Sequence, residues 1–108
     1  MGNRPNLYYV GFNEKTEEGD KHRYKVQELE ERLRHSNPLI RGGIIKCGGP
    51  RNYNFYFQYF WEAIDFFELV NNPSYHDLFH PPVLKRFSLT ESPLKPRQQK
   101  QFDALYKE

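Results

Sequence analysis

The chain has 108 residues, 37% of them hydrophobic and 17% aromatic, and its formal net charge is +2. That length suits one domain with a modest core. No apolar run reaches membrane-span length, and acidic residues interleave with the basic ones, unlike the clustered basicity of strong nucleic-acid binders.

A single cysteine, Cys47, rules out an intramolecular disulfide and points to a reducing, cytoplasmic compartment. Residues Met1 to Asn6 are polar, so no signal peptide is expected, and Asn6 stands where myristoylation wants Ser or Thr. Nine Phe and eight Tyr imply an aromatic core, with surplus rings left for a binding surface.

Leu7 to Phe12 reads as a strand, with Tyr8, Val10 and Phe12 on one face and Leu7, Tyr9 and Gly11 on the other. Asp20 to His35 reads as an amphipathic helix whose stripe is His22, Val26, Leu29 and Leu33. Its i,i+4 pairs are Glu28 with Arg32 and Glu30 with Arg34. Leu39 to Cys47 is the next strand, where Gly42-Gly43 suggests a bulge or a close backbone approach. After a turn at Gly48 to Asn52, Tyr53 to Phe60 alternates Tyr53, Phe55, Phe57 and Tyr59 with Asn54, Tyr56 and Gln58.

Glu62 to Asn71 is a second helix, with Ala63, Phe66, Phe67 and Val70 inward and Glu62, Asp65 and Glu68 toward water. Tyr75 to His80 is a short turn, and Val83 to Leu89 is the last strand. Ser92 to Pro96 is linker-like, and Gln98 to Lys107 is a final helix with Phe102, Leu105 and Tyr106 on one side. The order predicts an α+β, ferredoxin-like βαββαβ sandwich over 1–90, followed by a basic linker and C-terminal helix over 91–108.

In such a fold the helices cover one sheet face. Tyr53, Phe55, Phe57 and Tyr59 are expected to face them, which leaves Leu7, Tyr9 and Tyr56 on the open face. That partly apolar face calls for a cover. The tail helix, a second copy of the chain or another macromolecule would serve.

Asn6 to Phe12 and Arg51-Asn52-Tyr53-Asn54-Phe55 resemble the first strand and the third-strand signature of RNA recognition motifs. The resemblance implies that Tyr8, Arg51, Tyr53 and Phe55 contact RNA. That register would bury Asn52, Asn54 and Gln58 instead. The run Phe55 to Ala63, then Phe67, then Asn72 to His76, is similar to dimeric α/β-barrel proteins of the antibiotic-biosynthesis-monooxygenase-like group. This resemblance implies dimerisation through open sheet faces and an enzymatic or small-ligand pocket near His22, Tyr59 and His76.

Other candidates read more simply as structure. His76 and His80 have metal-pair spacing but no third ligand, so no metal or cofactor is expected. His22 reads as a boundary residue, Cys47 as a buried strand residue and Gly48 to Arg51 as a plain turn. Lys85, Arg86, Lys95, Arg97 and Lys100 form basic patches suited to an acidic protein or to nucleic acid, with Arg51 as a further candidate contact. Pro93 to Arg97 resembles an SH3 ligand with its Arg one position early. No catalytic constellation stands out. The sequence therefore predicts a non-enzymatic binding or regulatory protein that presents a sheet face and a basic tail to a protein, a second copy of itself or a nucleic acid.

Overall fold

The computed structural model describes residues 7–15, 23–49, 52–88 and 93–107. Its elements are β1 (Leu7–Asn13), α1 (Arg23–Ser36), β2 (Gly43–Gly49), β3 (Asn52–Phe57), α2 (Phe60–Val70), β4 (Val83–Phe87) and α3 (Pro96–Leu105), with a 3-10 turn at Pro73–Tyr75. The α+β class is as expected. The strands form one antiparallel sheet in the order β2-β3-β1-β4.

The period-2 pattern of β3 sets the layers. Tyr53, Phe55 and Phe57 are buried with Val10 and Phe12 of β1 beneath Val26, Leu29 and Leu33 of α1 and Ala63, Phe66 and Val70 of α2. Phe66 is the centrepiece, its ring 4.2 Å from that of Phe55 and 5.8 Å from that of Phe57. Each such fully buried ring contributes about 1.5–3 kcal/mol by leaving water.

The opposite face is covered by α3. Leu7, Tyr56 and Phe102 are buried together, with Tyr9, Phe87, Leu94 and Tyr106 packed around them. Phe102 and Tyr106 are four residues apart, so they share the helix side that meets the sheet. Leu105 was expected beside them but is 38% exposed, because three residues from Phe102 and one from Tyr106 it falls on the flank. Pro96 opens α3, and the Gln98 side chain accepts from Lys95 N at 3.0 Å.

Several boundaries differ from expectation. β3 ends at Phe57 rather than Phe60, because Tyr59 is the N-cap of α2 and its N–H donates to Glu62 Oε1 at 3.2 Å. β2 begins at Gly43 rather than Leu39, because Arg41 N and Gly42 N donate to Glu62 Oε2 at 2.8 and 3.1 Å instead of to a strand. The predicted close approach at Gly42 is present. A Cβ there would lie 2.6 Å from the Tyr56 carbonyl oxygen and 2.5 Å from Tyr106 Oη. The bulges of β2 lie further on, at Ile44/Lys46 and Cys47/Gly49.

On α1, Glu30 and Arg34 pair at 3.5 Å as expected. Arg32 does not pair with Glu28. Its guanidinium donates to Tyr75 Oη and lies 5.7 Å from that ring's centroid, while Glu28 pairs with Lys25 at 3.3 Å.

Candidate functional site

Glu62 organises one end of the molecule. It was expected to face water, yet it is wholly buried. A buried carboxylate is tolerable only when its oxygens are bonded. Here Oε2 accepts from Arg41 N and Gly42 N, and Oε1 from Tyr59 N and from Tyr106 Oη at 2.7 Å. Tyr106 Oη in turn accepts from Gln58 N at 2.8 Å. Burial, and secondly the bond to Glu62, push the Tyr106 hydroxyl far above the usual tyrosine range. The carboxylate thus joins the entry to β2, the start of α2 and the end of α3. With both its oxygens engaged it is a structural hub.

Beside this hub the N-cap and the first two residues of α2 present three consecutive rings to solvent. Tyr59 is 45% exposed, Phe60 52% and Trp61 42%. The Tyr59 and Trp61 rings are nearly parallel, 13° apart in plane, with centroids 6.2 Å apart. Tyr106 braces Tyr59 edge-on at 5.9 Å, and Tyr8 braces Phe60 edge-on at 5.7 Å. Exposed apolar area concentrated at one place on a small domain is characteristic of a binding surface. The sequence pattern conceals this surface, because Tyr59 continues the alternation of Tyr53, Phe55 and Phe57 and so reads as a core residue.

The residues expected at sites are dispersed. Of the open-face set, Leu7 and Tyr56 are buried under α3, and Tyr9 is half-buried with its hydroxyl donating to Asn54 Oδ1 at 3.1 Å. Burial raises the pKa of both Tyr9 and Tyr56. Tyr53 and Phe55, placed against RNA by the recognition-motif resemblance, lie in the core beneath the helices and offer no stacking surface. Arg51 and His22 lie outside the described residues.

Tyr59 and His76 do not share a pocket. Tyr59 caps the start of α2, whereas His76 lies beyond its end, with Nε2 2.9 Å from the Asn71 carbonyl oxygen. An 11-residue helix separates them, about 16 Å of rise. The space between sheet and helices where that pocket was expected is filled by Phe12, Phe55, Phe57 and Phe66. His76 and His80 are exposed, and no group of three metal-ligating side chains occurs among the described residues. Lys95, Arg97 and Lys100 are exposed on and beside α3. No helix of the described residues is long and apolar enough to cross a membrane.

No family model matches the chain, and no curated protein matches it. A solved structure of a REP-associated tyrosine transposase bound to a REP hairpin aligns at a TM-score of 0.45 and 8% identity, over 95% of this chain. This chain spans 66% of that one, just under two thirds. So slight a likeness carries neither fold nor function across.

Proposed function

We propose that this is a small, non-enzymatic binding or regulatory protein of ferredoxin-like architecture that engages another protein through the Tyr59-Phe60-Trp61 surface. Support for the architecture is the element order with strands arranged β2-β3-β1-β4. Support for the binding role is the ring trio itself, solvent-facing and braced by Tyr106 and Tyr8. Aromatic side chains held rigidly in this way are enriched at the energetic centres of protein interfaces.

The surface differs from the sheet face that the sequence put forward, because α3 already occupies that face. The basic side chains Lys95, Arg97 and Lys100 remain part of the reading, as charges that steer an acidic partner. A cytoplasmic setting, expected from the lone Cys47, belongs to the same proposal.

The test is photo-crosslinking in the cell, with a benzophenone side chain at Phe60 and, as a control, at the exposed Asp77. The reading expects an adduct of one defined mass from Phe60 and none from Asp77. An adduct at twice the chain's mass would make a second copy the partner. Equal labelling at both positions, or none at either, would remove the reading.

A further inference from the structure

The chemistry of the ring trio narrows its partner. Neither the Trp61 indole N–H nor the Tyr59 hydroxyl has a hydrogen-bond partner among the described residues. Both rings are half-exposed and nearly parallel, with centroids 6.2 Å apart. An indole offers a donor and no acceptor, and a phenol hydroxyl donates readily. The surface therefore combines flat apolar faces with unspent donors. Its best complement is a chain rich in acceptors, poor in N–H groups and able to lay flat apolar rings on the ridge.

Proline-rich sequence meets all three conditions. Proline has a carbonyl but no backbone N–H, so few of its own polar groups go unsatisfied on docking. In the polyproline II conformation the chain makes no internal hydrogen bonds and its carbonyls stay outward and available. The conformation is largely formed before binding, so little ordering entropy opposes the contact. The receptor side is ordered as well. Glu62 fixes the Tyr59 backbone, and Tyr106 fixes the Tyr59 ring.

We propose that the Tyr59–Trp61 ridge binds a proline-rich segment of another protein in the polyproline II conformation. Trp61 Nε1 and Tyr59 Oη donate to its carbonyls, and its pyrrolidine rings pack on the two aromatic faces. This inference rests on the binding role assigned to the same surface.

Trp61 is the single tryptophan of the chain, so its fluorescence reports directly on the site. Decaproline titrated into the full-length protein is expected to give a saturable emission shift, and a glycine-serine peptide of equal length none. Tyr59→Ala is expected to weaken decaproline binding about tenfold or more, as removal of a central aromatic anchor does. Tyr59→Phe keeps the ring and its contact with Tyr106, and is expected to weaken binding to a smaller extent. Trp61→Phe, followed by calorimetry, removes the indole donor and is expected to lower affinity.

No saturable response to decaproline, an equal response to the glycine-serine peptide, or unchanged affinity in a folded Tyr59→Ala protein would overturn the inference. If decaproline fails while the Phe60 crosslink still yields its specific adduct, the partner is not proline-rich and the binding role stands. If both fail, both fall.

Discussion

Tyr106 Oη donates to Glu62 Oε1 across 2.7 Å, tying the residue that ends α3 to the first turn of α2 over 44 positions of sequence. The same hydroxyl accepts from Gln58 N, and the same carboxylate accepts from three backbone N–H groups. The tail helix is thereby part of the domain's polar core as well as a cover for its sheet.

Glu62→Gln tests the hub with almost no change of shape. An amide has one acceptor oxygen and two donors, so either Arg41 N and Gly42 N or Tyr59 N and Tyr106 Oη must face an NH2 group. Stranding two buried donors at about 1–3 kcal/mol each is expected to lower the unfolding free energy by about 2–6 kcal/mol. Urea denaturation followed by circular dichroism measures it. A change below about 0.5 kcal/mol, the scale of an ordinary surface substitution, would contradict the hub.

Tyr106→Phe separates the hydroxyl from the ring, and it carries a pH signature. Burial and the Glu62 bond keep the native hydroxyl protonated well above the ordinary value of 10.0. Below about pH 10 both native and unfolded chains hold the proton, and the hydroxyl's contribution is fully present. Above that, the unfolded chain releases its proton while the native state retains it, so stability falls as pH rises. Tyr9 and Tyr56, also raised by burial, act in the same direction. Thermal melts between pH 8 and 11 should show the parent losing stability steeply, and Tyr106→Phe less steeply from a lower starting point. Parallel curves would contradict the burial of that hydroxyl. Amide exchange at Gln58 should also quicken in the variant.

Gly42→Ala inserts a methyl where none fits. The new carbon would meet Tyr106 Oη at 2.5 Å, Phe57 Cδ1 at 2.6 Å and the Tyr56 carbonyl oxygen at 2.6 Å. Backbone cannot yield cheaply, so Tyr106 is expected to leave its place, at a cost of about 1–3 kcal/mol. Limited proteolysis should then cut α3 faster than in the parent. Equal cutting rates would show that the site accommodates the methyl.

What the sequence disclosed followed its periodicities. The alternation of Tyr53, Asn54, Phe55, Tyr56 and Phe57 separates the two sheet faces, because a strand has a period of two and a one-residue slip would bury Asn52 and Asn54. Val26, Leu29 and Leu33 likewise mark the inner stripe of α1. Glu62 could not be found in this way. Its burial depends on backbone donors at Arg41 and Gly42 and on a hydroxyl 44 residues away, none of which leaves a local trace. Tyr59 misled for a related reason. Its alternation with Phe57 fits a strand, and only the carboxylate three residues on, reaching back to its N–H, makes it a helix cap. With Tyr59 in a strand pattern, the adjoining rings of Phe60 and Trp61 leave no sequence signal of a surface.

The proposed binding role needs α3 to close the sheet face from within, leaving the ring trio as the exposed aromatic surface. Light scattering on the full chain and on one ending at residue 90 tests this most directly. The full chain is expected to be monomeric at tens of micromolar. The shortened chain, with Leu7, Tyr56 and Phe87 uncovered, is expected to self-associate. A dimeric full chain, or a shortened chain that stays monomeric and as stable as the parent, would contradict it.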